Sequence, residues 1–579
     1  MFEAALCNGY ALRMLRPLGF GLFFTLLQAT LGQVSETTAL QDRKYNQELQ
    51  DSYNRIDPSK DGWLTEKLGE EYSAHLNALT KKLTSEEPEL PKDILSSPLC
   101  PTTLKVIHDS EITVSRADRL PEKFTTVALP AWSGMTPKVK VTRIEGDQCE
   151  ALVTLKKKGH QINTTWLCQW AEAAGELSLK SLSVIDYEEV KSQPLLQDVT
   201  ASVLGSTEAY PEQILRSSDH WRLRLPQDFG LDAPANHGLA IGDVNGDGRE
   251  DLYLCQQGGL PNRLFLQNAD GTMRDFSEES RTNYLDYCAA ALLVDLDNDG
   301  DKDLVISQDF KILFLDNIDG KGHFEIAFGS STKSQSFSLS AADFDQDGKL
   351  DVYICGYNPS YSASRAGALG EPVPFHDANN GGANMLWRNF GNWKFEDVAE
   401  QVGLDEDNTR FSFAASWEDY DSDGDLDLYV ANDFGRNCLY QNQGKAADGL
   451  PQFKNVAGEL KIEDTSAGMS SNWGDFNRDG HMDLYVSNMF SSAGNRITFQ
   501  KQFKTSTDAG VRSNYQRMAR GNSLFSSDGT GGFSDVSMES QTTMARWCWG
   551  STFIDLNNDG WLDILAANGF ITAEDTADL

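Results

Sequence analysis

Six times along the chain a short apolar run is broken by an acidic, glycine-bearing loop and then resumes. The runs before the loops are GLAIG, AALLV, SLSAA, FAASW, SSNWG and GSTFI, and the runs after them include DLYLC, DLVIS, DVYIC and DLYVA. They are short, rich in β-formers and partly alternating, so they predict buried strands rather than helices. A second element follows each of the first five hairpins. It reads NRLFLQNADGTMRDFSEES, KILFLDNIDGKGHFEIA, NMLWRNFGNWKFEDVAE, NCLYQNQGKAADGLPQFKNVAG and NSLFSSDGTGGFSDVSM. Each predicts strand, Asn/Asp/Gly turn, strand. Four strands in a unit of about 50 residues is the pattern of a β-propeller blade.

Upstream the pattern changes. Residues 12–32 place Arg13 and Arg16 before PLGFGLFFTLLQATLG, which predicts a secretory signal over 1–32, too short for a comfortable membrane span. Residues 45–84 are polar and helix-prone. Residues 100–195 alternate as strands, and one hairpin can be placed by register. Pivoting CEALVTLKKKGHQINTTWLC about Lys158-Gly159 sets Cys149 opposite Cys168, Ala151 opposite Trp166, Val153 opposite Thr164 and Leu155 opposite Ile162. An apolar face and a mostly polar face then emerge together. The chain is thus expected to be mainly β. A helical segment and a small α+β domain occupy 33–194, and a propeller of six or seven blades occupies 195–579. LLQDVTASVLG from Leu195 and HWRLRL from His220 are expected as strands that complete the last blade and close the ring.

The loops carry the chemistry. All six follow D-x-[DN]-x-D-G-x-x-D-[LVI]. Position 1 is Asp243, Asp295, Asp343, Asp419, Asp475 and Asp555; position 3 is Asn245, Asp297, Asp345, Asp421, Asn477 and Asn557. Position 5 is Asp247, Asp299, Asp347, Asp423, Asp479 and Asp559; position 9 is Asp251, Asp303, Asp351, Asp427, Asp483 and Asp563. A solvated acidic surface does not repeat side-chain chemistry at fixed spacing. Oxygen-only ligands on a flexible loop predict Ca²⁺ rather than Mg²⁺. Position 7 varies through Arg249, Asp301, Lys349, Asp425, His481 and Trp561, as expected if only its carbonyl binds. The glycine at position 6 permits the sharp turn. An EF-hand is excluded, because its twelfth position needs a bidentate Glu. Here that position is Leu254, Ile306, Ile354, Val430, Val486 and Ala566. About six Ca²⁺ are expected, each stapling the tip of one hairpin.

These loops, the N-x-L-[FWY]-x-N…F-x-D-V-A element and the WG-x-x-F-x-D-x-N-x-D-G-x-x-D ending resemble the FG-GAP (VCBS-type) repeats of integrin α-subunit propellers. The likeness is nearest to the ASPIC/UnbV, or cartilage-acidic-protein-like, group, and it covers residues 197–579. The resemblance implies a calcium-bearing propeller, often seven-bladed, exported from the cell and acting by binding or adhesion. Members commonly continue into an ASPIC/UnbV segment, whereas this sequence ends two strands into its last unit.

Composition narrows the function. The formal net charge is −36 over 579 residues, and much of it lies in the loops. No basic face suggests nucleic acid. No later segment predicts a membrane span, and the expected location is secreted, periplasmic or cell-surface. The cysteines form no C-x-x-C pattern, and only Cys149 and Cys168 have a register that argues for a disulfide. Asn163-Thr-Thr is a glycosylation sequon where the source glycosylates. No G-x-S-x-G, H-E-x-x-H or phosphate loop supports an enzyme; His376 beside Asp377 is the residue that a hydrolase or lyase at the channel mouth would use. A binding module is favoured over this and over a purely structural surface protein. Two long insertions, from Tyr357 and from Asn488, both lengthen the strand two-to-three connection and so share the face opposite the calcium loops. The second carries Arg496, Lys501, Lys504, Arg512, Arg517 and Arg520, expected to attract a protein or acidic glycan partner.

Overall fold

The structure, a computed structural model, describes residues 64–569 apart from 89–92, 102, 110–111, 118–131, 174–175, 194–195, 217–219, 222–223, 226–237 and 360–371. The expected signal segment at 1–32 and the first part of the helix-prone region lie outside the described residues. Two compact units are present, Met1–Glu71 and Tyr72–Leu579. No described helix is long and apolar enough to cross a membrane.

Helix α1 (Leu64–Leu83) is followed by β1 (Lys105–Asp109), β2 (Ile112–Arg116), β3 (Thr136–Glu145), β4 (Gln148–Lys157), β5 (His160–Ala173) and β6 (Glu176–Ser192). These strands form one antiparallel sheet in the order β1-β2-β6-β5-β4-β3. The β4–β5 hairpin adopts the expected register, with Cys149 opposite Cys168, Ala151 opposite Trp166 and Leu155 opposite Ile162. Cys149, Ala151, Val153 and Leu155 are all buried. A buried face leaves no freedom to slip by one residue, because a slip would turn these four outward. Tyr72 stacks on Trp170 with ring centroids 4.4 Å apart, covering that face.

The remainder is a series of antiparallel sheets in chain order. Sheet I holds β7 (Leu239–Gly242), β8 (Asp251–Leu254), β9 (Arg263–Gln267) and β10 (Met273–Asp275). Sheet II holds β11 (Cys288–Val294), β12 (Asp303–Gln308), β13 (Lys311–Asn317) and β14 (Phe324–Ser331). Sheet III holds β15 (Gln335–Ala342), β16 (Asp351–Asn358), β17 (Met385–Asn389) and β18 (Phe395–Asp397). Sheet IV holds β19 (Ser412–Glu418), β20 (Asp427–Asn432), β21 (Cys438–Lys445) and β22 (Pro451–Asn455). Sheet V holds β23 (Gly468–Gly474), β24 (Asp483–Asn488), β25 (Ser523–Ser527) and β26 (Phe533–Asp535), and sheet VI holds β27 (Cys548–Ile554) and β28 (Asp563–Asn568).

Successive sheets lie side by side, each first strand beside the next first strand from β7 through β11, β15, β19 and β23 to β27. The cores lie between sheets rather than within them. Leu264, Leu266 and Phe276 of sheet I close on Leu304, Ile306 and Phe324 of sheet II. Phe314 of sheet II closes on Ile354 and Phe395 of sheet III, Tyr353 of sheet III on Val430 and Phe453 of sheet IV, and Tyr429 of sheet IV on Val486 and Phe525 of sheet V. Middle strands β12, β16, β20 and β24 are buried along both faces. That is why they read as nearly continuous apolar runs. The outward faces of the end sheets are open: Leu239 and Ile241 on sheet I, and Ile554 and Leu565 on sheet VI, are exposed.

The asparagine of the N-x-L motif ties strands two and three of a sheet. Oδ1 of Asn262, Asn384, Asn437 and Asn522 accepts from the backbone N–H of Gln256, Gly356, Asn432 and Asn488 at 2.7–2.8 Å. Nδ2 of Asn262, Asn437 and Asn522 donates to the buried hydroxyls of Tyr253, Tyr429 and Tyr485 at 2.7–3.1 Å. Sheet II needs no such tie, because Asp309 and Phe310 alone join β12 to β13.

Among the described residues, the two segments expected to complete the last sheet are not strands. A short helix, α2 (Thr200–Leu204), stands there instead, and Asp198, just before it, accepts from Thr200 N–H at 3.0 Å. Leu204 then packs on Phe265 of sheet I. The apolar run is used for one-sided burial rather than for edge pairing, and His220 and Trp221 lie in a helical turn.

Candidate metal centre

Each acidic loop joins the first and second strands of its sheet, and its side chains fold back onto its own backbone. The position 1 carboxylate accepts from the N–H of positions 5 and 6 in five of the loops, as Asp343 does from Asp347 and Gly348 at 2.9 Å each. In the loop that starts at Asp295, the first of these bonds comes from Asn298 instead, at 2.7 Å. Position 5 accepts from the N–H of position 7 in all six loops at 2.9–3.1 Å. The glycine at position 6 has φ between 81° and 99°, the left-handed region that favours glycine. Position 4 is left-handed as well. Gly246, Asn298, Gln346, Ser422, Arg478 and Asn558 have φ between 55° and 68°. The sequence motif leaves this position free.

Position 9 anchors the loop to its sheet. One oxygen of Asp251, Asp303 and Asp483 accepts from the N–H of position 2 at 2.9–3.2 Å. The other accepts from the third strand, at Gln267, Asn317 and Ser527, at 2.8–3.1 Å. Asp351 and Asp427 likewise accept from Asn389 and Asn442 at 2.7 Å, but their Oδ2 atoms are buried without a hydrogen-bond partner. Asp563 accepts from Leu556 N–H at 3.1 Å, and among the described residues sheet VI has two strands, so no third strand faces it there.

Three loops bring carboxylate oxygens within 4.8 Å of one another: Asp295, Asp297 and Asp299; Asp343, Asp345 and Asp347; Asp419, Asp421 and Asp427. Buried oxygens without a partner occur on Asp301, Asp345, Asp421 and Asp425 as well. Burial, reinforced by neighbouring aspartates, pushes the Asp301 and Asp425 carboxyls up to about 6 and those of Asp351 and Asp427 up to about 8. Burial also raises Asp303 to about 7, against the two N–H groups that oppose it. Buried, unpartnered carboxylate oxygens facing one another are the donor set of a hard divalent cation. The residues therefore fit Ca²⁺. Position 7 offers more than its carbonyl in two loops, because the side chains of Asp301 and Asp425 join the acidic cluster.

Neighbouring loops touch. Asn298 Nδ2 at position 4 of one loop donates to the Gly348 carbonyl at position 6 of the next, at 2.9 Å. Gln346 Nε2 makes the same bond to the Gly424 carbonyl at 2.8 Å. Arg478 stacks over Trp561, 4.7 Å from the ring centroid, and links the last two loops.

The opposite ends of the strands carry the insertions. The segment around Phe375 meets α4 (Ala509–Arg520): Phe375 and His376 lie 6.2 Å and 5.4 Å from the Tyr515 ring. Helix α3 (Ser492–Thr498) packs on β3, and Arg496 donates to the Val141 carbonyl at 2.7 Å. The arginines expected as free cations are occupied. Arg517 pairs with the buried Asp464 at 2.8 Å and also with Asp535, while Arg520 pairs with Asp535 at 2.9 Å. Burial pushes the Asp535 carboxyl up, but Arg517, Arg520 and Ser537 outweigh it and hold it well below the usual range. Arg512 donates to the Gln500 carbonyl at 3.5 Å, and Lys504 lies 4.7 Å from the Tyr515 ring centroid. Lys501 is exposed.

Cys149 and Cys168 face each other in the expected register, but the disulfide expected between them is not formed in this structure, where all eight described cysteines, Cys255 and Cys288 included, are thiols; Trp170 Nε1–H donates to Cys149 Sγ at 3.2 Å.

The model of the FG-GAP-like repeat matches residues 243–306, 295–354, 419–486 and 510–566, stretches that contain all six loops. Mouse cartilage acidic protein 1 is 25% identical over 305 residues, which is 49% of this chain and 43% of the relative. The chain thus spans less than half the length of that relative. A chain from the crystal structure of BBS1N in complex with ARL6DN, soaked with mercury, aligns over 61% of this chain and 89% of its own length at 12% identity, but its TM-score of 0.22 carries no structural argument. Repeated loop, repeated sheet and matched stretches coincide: the chain carries FG-GAP-like repeats and is similar over part of its length to cartilage acidic protein 1.

Proposed function

We propose that this protein is an exported binding module whose sheets are propeller blades held at their hairpin tips by Ca²⁺. The observation that carries the calcium reading is the set of buried carboxylate oxygens without partners in the loops, above all on Asp345, Asp351 and Asp427. Calcium would replace the repulsion among them with a shared attraction. The donors at positions 1 and 5 are already oriented by loop N–H groups, so little reorganisation accompanies binding. Sites of this kind in extracellular modules bind at about 10⁻⁴–10⁻³ M, which suits a calcium-rich compartment.

The partner docks on the face opposite the loops, where the two insertions meet. Phe375 is 47% and Val373 64% exposed there, beside Tyr515. With Arg517 and Arg520 neutralised internally, apolar contact rather than arginine charge leads recognition, which favours a protein partner. Lys501 and Lys504 are the cations left for an acidic glycan.

Two measurements test this reading. EGTA should lower the melting temperature markedly, with Ca²⁺ restoring it and Mg²⁺ restoring it poorly. An unchanged melting curve would remove the calcium reading. Capture of extracellular proteins should be lost in Val373→Ser/Phe375→Ser and kept in Lys501→Glu/Lys504→Glu. The reverse pattern would point to an acidic glycan, and capture kept by both would move the docking site elsewhere.

A further inference from the structure

Cys255 follows β8 in sheet I, and Cys288 opens β11 in sheet II. Both are fully buried, and their sulfur atoms lie 3.2 Å apart. The backbones that carry them are locked together. Cys255 N–H donates to the Gly238 carbonyl at 2.9 Å, Gly238 N–H to the Ala289 carbonyl at 2.8 Å, and Cys288 N–H to the Gln256 carbonyl at 3.0 Å.

A comparable place recurs at the second, fourth and fifth junctions between sheets. It pairs the residue twelve after a loop's first aspartate with the residue seven before the next loop's first aspartate. At the second junction these are Ser307 and Ser336, which share a hydrogen bond. At the fifth they are Ser487 and Cys548, with Cys548 Sγ 3.2 Å from Ser487 Oγ. At the fourth they are Ala431 and Gly468, where a Cβ built on Gly468 would sit 3.2 Å from the Ala431 Cβ. The fold thus brings two facing Cβ positions almost into contact at this place, close to the separation of about 3.5–4.5 Å that a disulfide spans. At the first junction the sequence fills it with two thiols.

We propose that Cys255 and Cys288 form a disulfide that fastens sheet I to sheet II. In the chemistry required, one cysteine thiolate attacks the disulfide of an oxidised dithiol carrier, forming a mixed disulfide and releasing one carrier thiolate. The second cysteine, deprotonated, attacks the protein sulfur of that mixed disulfide and expels the other carrier thiolate. The two cysteines are oxidised by two electrons, the carrier is reduced by two, and two protons leave the thiols. Burial of both sulfurs places this step during folding, before the two sheets close.

The test uses the full chain expressed through an oxidising secretory route, with free thiols blocked by iodoacetamide in denaturant, so that buried thiols react as well. Trypsin cuts between the two cysteines at Arg263, Arg274 and Arg281. Non-reducing mass spectrometry should recover the Cys255 and Cys288 peptides as one species that separates on reduction, with Cys355 and Cys438 carbamidomethylated. The Cys255→Ser/Cys288→Ser variant recreates the serine pair of the second junction, so it should fold and lose only that species. Recovery of both cysteines as carbamidomethyl derivatives from the folded protein overturns the proposal.

Discussion

Asp351 and Asp427 each spend one oxygen on a strand N–H and hold the other buried without a partner. Without a cation, burial first and neighbouring aspartates second push both carboxyls up to about 8, from an ordinary value of 3.8. Such a group favours the folded state while it is protonated there and ionised in the unfolded chain. Its stability contribution is complete below pH 3.8 and is lost as the pH rises through about 8. In EGTA the melting temperature should therefore fall as the pH is raised between these limits. With saturating Ca²⁺ the folded carboxyls are ionised throughout this window, as they are in the unfolded chain, so this pH dependence should vanish. Differential scanning calorimetry at several pH values, with and without calcium, checks the sign. Positions 1, 3, 5 and 9 were legible in the sequence because side-chain chemistry itself repeats there. The left-handed conformation at position 4 was not, because residues as unlike as Gln346, Ser422 and Arg478 adopt it. Loop closure sets that angle, and no single residue type announces it.

At the level of elements, the loops are joined to one another as well as to their strands. The bonds from Asn298 to Gly348 and from Gln346 to Gly424 link the three loops whose carboxylates converge most closely. The accepting carbonyl lies next to position 7, the expected backbone ligand. Filling one loop should therefore stiffen the next. Asn298→Ala and Gln346→Ala remove no ligand, yet each should flatten the calcium isotherm measured by calorimetry while leaving the stoichiometry unchanged. The β4–β5 register was readable because alternation has only two phases and one buries Cys149, Ala151, Val153 and Leu155. Helix α2 was not, because a five-residue segment such as Thr200–Leu204 satisfies either a strand or a short helix, and the packing of Leu204 on Phe265 is not visible in the sequence.

Across the whole molecule, charge is balanced over long sequence distances. Arg517 serves Asp464, 53 residues earlier, and Asp535, 18 residues later. Pattern reading sees the arginine in an insertion but not the carboxylates that face it. Arg517→Glu would leave Asp464 buried beside a like charge, and loss of one partner of a buried pair costs about 3–5 kcal/mol. Urea denaturation should show a loss of that order, whereas Lys501→Glu, on the exposed turn, should change stability by less than about 0.5 kcal/mol.

Because four of the cores are each shared by two neighbouring sheets, the described sheets have the energetics of a one-dimensional array, in which an interior member has two interfaces and a terminal member has one. Among the described residues, sheet VI has a single neighbour and two strands. Amide hydrogen exchange should therefore form a gradient along the chain, slowest in β12, β16 and β20 and fastest in β28, with fraying entering from the side that exposes Ile554 and Leu565.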